Sequence, residues 1–325
     1  MKTCAAVTVF LAALLWTHGA VFAGNNLKDD LFSVSFPTAG QGWTCGHRGA
    51  VLHTADGGKS WSRQRSGTDY TLSSIFFVDA SNGWTVGDGG TILRTYDGGQ
   101  TWRVQESPVP YFLMDVWFTD ALTGWIVTER TTILHTADGG ETWEVQFSDG
   151  DFILKAVSFA DHQNGWAVGE FGYIYHTSDG GQTWEHQAGM FDISDETGEM
   201  VGGNFIFDVG AVTPQEAWVV GIDGYVARTV DGGENWQPVA GAPRTHLFGV
   251  HALEDRILVA GDATLIETTD HGATWRDLPI APTIRYGWLY RLGSRGKDGL
   301  VAVGMNGWIY LGYGGEEPWR RSELK

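Results

Sequence analysis

A chain of 325 residues with only two cysteines is no disulfide-stapled miniature, and its 46 glycines and 16 tryptophans disfavour a helical bundle and favour a turn-rich β protein. The formal charge of −18 argues against nucleic acid as a partner, because such a surface repels phosphates. With 42% hydrophobic residues the chain still builds a sizeable core, so the acidity belongs to a folded surface.

Residues 1–23 have the layout of a secretory signal: Lys2, an apolar run from Ala5 to Trp16, then Val21-Phe22-Ala23 before Gly24. Cleavage after Ala23 is expected, which makes the protein exported, periplasmic or otherwise extracytoplasmic. The apolar run is too short to span a bilayer. Cys4 precedes that run and is not placed for lipid attachment. The mature chain, 24–325, then keeps one cysteine, Cys45, and no internal disulfide; the thiol is expected to be a small buried residue.

An eight-residue pattern, Thr-x-Asp-Gly-Gly-x-x-Trp, organises the rest. It begins at Thr54, Thr95, Thr136, Thr177 and Thr229, with aspartates Asp56, Asp97, Asp138, Asp179 and Asp231. A sixth copy carries Asp270 and replaces the first glycine by His271; a seventh is eroded to Gly314-Gly315 and Trp319. Successive terminal tryptophans lie 41, 41, 41, 52, 39 and 44 residues apart, the length of a four-stranded sheet with tight turns. Upstream lie a Gly-Trp or Ala-Trp strand (Trp43, Trp84, Trp125, Trp166, Trp218) and a short apolar strand such as 74–77 or 114–118.

Each unit therefore reads as four strands. In the first, strand A covers Val34–Phe36, B surrounds Trp43, C covers Val51–Thr54 and D starts at Trp61. Seven such sheets bury both faces only by packing radially, so the expected fold is all-β: a seven-bladed β-propeller of four-stranded antiparallel blades with Asp-box turns. The aspartate accepts N–H bonds inside its turn, the glycines supply positive φ, and the tryptophan packs over the hairpin. An acid that recurs in every blade is read as structural, since catalysis needs it once. The last blade's strand D comes either from Pro318–Ser322 or from the segment near Asn26–Asp30.

The pattern resembles the Asp-box, or BNR repeat, of sialidases, sortilin-like receptors and related propellers. The fuller unit Gly165–Trp184 is similar to the repeat of the Ycf48/Hcf136 family, and the likeness spans about residues 31–320. The resemblance implies a non-enzymatic factor that docks on membrane-protein partners, for photosystem II assembly where the organism is photosynthetic. It also implies an arginine-rich patch, from which this acidic sequence departs.

Binding groups are expected where the B–C turns and D-to-A connections share one face. Asp88, Glu129, Glu170 and Asp262 occupy equivalent B–C positions and would form a partial acidic ring; the alternative is ordinary solvated turns. The long entry to blade five, Met190–Asn204, adds Asp192, Asp195, Glu196 and Glu199. Tyr111, Phe112, Tyr286 and Trp288 add the aromatics of a protein-binding face. His53, His135 and His176 all precede a repeat threonine but sit on separate blades, so no zinc at about 2.1 Å joins them. No metal, cofactor or catalytic residue is expected, and a monomer is.

Two other functions compete. A sialidase-like or other glycoside hydrolase needs three convergent arginines and a Tyr–Glu pair, which Arg48, Arg130, Arg244 and Arg285 do not match. A companion of an envelope transporter is not separable from an assembly factor by sequence.

Overall fold

The computed structural model describes residues 28–193, 200–297, 299–313 and 316–324; the secretory-signal reading of 1–23 lies outside them. Seven antiparallel sheets, each in the order A-B-C-D, surround a central channel. The innermost strands are Leu31–Ser35, Leu72–Phe77, Leu113–Phe118, Leu154–Phe159, Ile206–Ala211, Leu247–Leu253 and Leu289–Arg295. Strand A of blade 1 thus begins three residues before the sequence-based expectation. The reason is a bulge between Leu31 and Ser33 that buries Leu31 completely, and the same irregularity recurs in every innermost strand. No helix among the described residues is long and apolar enough to cross a membrane.

The blades adhere through a repeated aromatic stack. Trp43 of blade 1 lies face to face on Phe77 of blade 2 at 3.8 Å, and Trp84 on Phe118 and Trp125 on Phe159 repeat the contact at 3.7 and 3.8 Å. Each phenylalanine meets the repeat tryptophan of its own blade edge-on, as in Phe77–Trp102, Phe118–Trp143 and Phe159–Trp184. The glycine before each strand-B tryptophan makes room: a Cβ on Gly83 would sit 2.5 Å from the Phe77 ring. In blade 5, where Ala211 replaces the phenylalanine, the glycine becomes Ala217, and the two residues face each other across the strand pair.

Polar bonds follow the same route. The Trp43 and Trp84 indoles donate to the carbonyls of Gly98 and Gly139 in the next blade's turn. Gln146 Oε1 accepts from both Trp125 and Trp184, and Gln187 Oε1 from both Trp166 and Trp236. Cys45 is fully buried, and burial pushes its thiol far above the ordinary range, which leaves it unreactive as a nucleophile.

The ring closes with Trp319–Arg321 as the outer strand of blade 7, the first of the two arrangements the spacing allowed. Residues Glu323–Leu324 then cross to pair parallel with Ser60–Trp61 on the outer edge of blade 1. Across the inner seam, Asn306 N–H donates to Asp30 at 2.8 Å and Arg295 donates to the Gly57 carbonyl at 3.2 Å.

Replacing Gln146 by Ala strands two buried indole N–H groups, and we expect a loss of about 2 kcal/mol in stability, read by urea unfolding. A change below about 0.5 kcal/mol would remove the glutamine bridges from the account of blade adhesion.

Candidate functional site

The repeated aspartates face inward on their own turns. Asp138 accepts from Thr136 Oγ1, from the Thr142 N–H and from Thr142 Oγ1 at 2.8, 2.9 and 2.6 Å. The Thr142 hydroxyl, first among these bonds, holds the Asp138 carboxyl down at about 2. Asp97, Asp179, Asp231 and Asp270 repeat the arrangement with Thr101, Thr183, Asn235 and Thr274, and Asp56 with Ser60. The residue before each tryptophan is thus a working member of the motif that the eight-residue pattern left unspecified.

The opposite face is sewn together by backbone. Asp88 N–H donates to the Thr71 carbonyl and Gly90 N–H to Tyr111, and the D-to-A connections entering blades 2, 3, 4 and 7 are each gripped in this way by two successive B–C turns. In blade 1 the grip requires glycine, whereas Thr131 and Ala263 take the equivalent place in blades 3 and 6 at φ 46°. Gly49 has φ 63°, and a Cβ there would lie 1.9 Å from the Thr68 carbonyl oxygen.

Of the four acids read as a ring, two bend back into this seam. Glu129 accepts the Phe112 N–H at 3.1 Å and Glu170 the Ile153 N–H at 2.9 Å. Asp88 is exposed, and half-buried Asp262 pairs by its backbone with Trp288. Tyr111 carries the Arg130 guanidinium 5.1 Å above its ring, and Tyr286 is 90% exposed. The blade-five entry forms a hairpin of Phe191–Ile193 with Met200–Gly202, so Asp192 lies in its first strand. Asp195, Glu196 and Glu199 lie outside the described residues. The hairpin reaches the B–C face through bonds of Met190 and the Phe171 carbonyl.

The channel at the centre of this face was not read from sequence. Its deeper ring comprises equivalent residues of the seven innermost strands: Ser33, Ser74, Asp115, Ala156, Asp208, Gly249 and Arg291. Arg291 spans the channel, donating to Asp115 Oδ2 at 2.8 Å and to Asp208 Oδ1 at 2.6 Å. Asp115 also accepts from Ser74 Oγ and from the Val116 and Val157 N–H groups, and Asp208 from Val209 and Val250. Burial lifts the Asp208 carboxyl to about 6 against the pull of Arg291. Burial also opposes the charge on Arg291, yet Asp115 and Asp208 outweigh it and hold the guanidinium protonated. Nearby His251, hydrogen-bonded to Ser294 at 2.6 Å, is pressed down to about 4 by burial and by Arg291.

The bulge residues form the ring above: Phe32, Ser73, Met114, Lys155, Phe207, Phe248 and Tyr290. Blades 5, 6, 7 and 1 make one side an aromatic arc, with Phe207–Phe248 at 5.2 Å, Phe248–Tyr290 at 5.6 Å and Tyr290–Phe32 at 5.5 Å. Trp288 joins it from the rim, stacked on Phe32 at 6.0 Å. A cavity of about 260 Å³ lies between this arc, Phe112, Met114 and Lys155, with Asp115 and Arg291 at its base. The signal missed in the sequence was a charge inside an apolar strand, as in Met114-Asp115-Val116. Among the described residues no group of three His, Cys, Asp or Glu is placed to hold a metal ion.

The central triad yields a pH prediction. The folded Asp208 carboxyl titrates near 6 instead of 3.8, so its contribution to stability is full below about 3.8 and is lost as pH rises through 6. Asp208→Asn should flatten that slope in thermal melts between pH 4 and 7, whereas Arg291→Met, which strands two buried carboxylates, should cost about 3–5 kcal/mol at neutral pH. An unchanged slope in Asp208→Asn would overturn this assignment.

Comparison with known proteins agrees with the architecture. Residues 102–189 match the family described as Photosynthesis system II assembly factor YCF48. A solved structure described as YCF48 bound to D1 peptide superposes with a TM-score of 0.71 at 20% identity, covering 88% of this chain and 92% of that one. YCF48 from Cyanidioschyzon merolae gives 0.70 at 21% identity, over 88% and 96% of the two chains. A GH74 xyloglucanase from Xanthomonas campestris gives 0.72 at 12% identity, with 91% of this chain covering 54% of that enzyme. No curated protein matches the chain. The chain is thus a seven-bladed propeller whose residues 102–189 are similar to the YCF48 family and whose frame is shared with YCF48 structures.

Proposed function

We propose that this protein is an exported, non-enzymatic assembly factor that holds a segment of a membrane-protein partner on the face formed by the B–C turns and D-to-A connections. The observation that carries the reading is the match of residues 102–189 to the assembly-factor family. The similar structure described as YCF48 bound to D1 peptide supports a partner presented as a peptide segment. The face suits such a chain physically: its backbone is fixed by the seam of hydrogen bonds, while Tyr111, Phe112, Tyr286 and Trp288 offer aromatic surface and Asp88 and Asp262 fix polarity. The repeated aspartates are, on this reading, turn-formers.

In affinity capture from detergent-solubilised membranes of the source cells, the full chain should retain an integral membrane protein. Trp288→Ala with Tyr286→Ala should lower recovery at least about tenfold, as loss of central aromatic anchors does. Deleting residues 190–204 should also reduce it; full recovery by both variants would reject the face.

The likeness to a GH74 xyloglucanase favours one competing reading, a glycoside hydrolase. Such an enzyme needs two carboxyl groups flanking a sugar, one of them free to give a proton. Asp115 and Asp208 are the paired acids of the channel, and each is bound to Arg291 and to backbone N–H groups. Purified protein should release no sugar from xyloglucan and no fluorophore from a sialoside; turnover abolished by Asp115→Asn would replace the binding reading with the enzymatic one.

A further inference from the structure

The channel carries a feature that a partner-docking rim does not use. Lys155 rises from the bulge of blade 4 into the ring of otherwise uncharged residues above the triad, with its Nζ 3.9 Å from Met114 Sδ and 5.8 Å from the centre of the Tyr290 ring. No carboxylate pairs with it among the described residues, although the chain carries 39 acidic side chains against 21 basic ones. The acids around it are engaged elsewhere: Asp115 accepts from Arg291, Ser74 and backbone N–H groups, Asp208 from Arg291 and backbone N–H groups, and Glu170 from the Ile153 N–H.

An ammonium held beside a thioether and an aromatic face, without a counter-ion, is poised for an anion brought in by a ligand. The rest of the cavity sets the body of that ligand. Phe32, Phe112, Phe207 and Tyr290 supply flat apolar walls, and the volume of about 260 Å³, just below the range of drug-sized ligand sites, limits the ligand to one ring and a short acid arm. Among the described residues a dianion such as phosphate would meet one ammonium without a carboxylate partner, above a triad in which two carboxylates face a single guanidinium and leave no positive charge to spare, so a single carboxylate is the better fit.

We propose that the channel is a binding site for a monocarboxylate with a planar or apolar body, its carboxylate on Lys155 and its body against the Phe32–Phe207–Tyr290 side. The acid is either a free small molecule or the carboxyl end of a chain. This proposal stands apart from the partner reading, because it is measured on the purified protein alone.

Titration calorimetry with phenylacetate and indole-3-acetate should give saturable binding, and the neutral phenylacetamide should bind at least about tenfold more weakly. Lys155→Met, whose side chain keeps length and apolar bulk, should lose the preference for acid over amide, and Lys155→Arg should keep it; matching melting temperatures establish that both are folded. A second arm compares a short peptide ending Gly-Phe as free acid and as amide. Preference for the acid in the peptide alone assigns the source to a chain terminus, and in the small acids alone to a free metabolite. Equal binding of acid and amide in both series, or acid preference surviving in Lys155→Met, overturns the proposal. Failure of the unaltered protein to capture any membrane protein, with acid binding intact, would leave this site standing and reject the rim reading instead.

Discussion

The contact on which this fold depends is the face-to-face stack of a strand-B tryptophan on the innermost-strand phenylalanine of the following blade. A lone four-stranded sheet has two apolar faces and no means of covering either. Trp43 on Phe77, Trp84 on Phe118 and Trp125 on Phe159 cover one with the other at a fixed offset, and the offset, repeated, sets the rotation from blade to blade. The requirement reaches into neighbouring positions. Phe77 folds over Gly83 because no other residue leaves the ring space, and its edge fixes Trp102, whose turn receives the indole N–H of Trp43 through Gly98. One pair of rings therefore dictates a glycine, a second tryptophan and a turn, which is why those residues recur together.

That chain of dependence explains what the sequence disclosed. Repeats of local spacing, such as Thr-x-Asp-Gly-Gly-x-x-Trp, report contacts made within one hairpin: Thr136 to Asp138 and Asp138 to Thr142 lie within six residues. Blade number, strand order and the location of the turns followed from that spacing. The innermost-strand ring behaves differently. Ser33, Ser74, Asp115, Ala156, Asp208, Gly249 and Arg291 share a position but no residue type, because each answers to a partner on another blade. Arg291 meets Asp115 from 176 residues away, and no periodic search aligns an arginine with an aspartate and an alanine. The start of strand A was misplaced for a related reason: the bulge after Leu31 breaks the alternation that marks a strand.

The acidic ring shows the opposite limit. Glu129 and Glu170 occupy equivalent turn positions, which was legible, yet their carboxylates cap the N–H groups of Phe112 and Ile153. A side chain long enough to reach the next connection serves the scaffold; Asp88, one carbon shorter, is left exposed. Equivalence of position in a repeat thus carries no equivalence of role, and the free acids on this face are fewer than the count of carboxylates suggests.

These features together decide how the face and the channel work as one surface. Four of the connections on the face are clamped by two turns, and the ring beneath is tied across the channel by a single guanidinium, so the aromatic arc from Phe207 to Phe32 is presented on a firmly braced base. Bracing matters because a ligand that orders its own receptor forfeits affinity to the ordering. The two cations of the channel divide the work accordingly. Arg291 is held by Asp115 and Asp208 and ties blades 3, 5 and 7 together, whereas Lys155, one layer higher, lies beside a sulfur and a ring and has no carboxylate partner among the described residues. Removing the first charge would loosen the wall. Removing the second would leave the wall intact and change only what the channel admits, which is the mark of a recognition residue as distinct from a structural one.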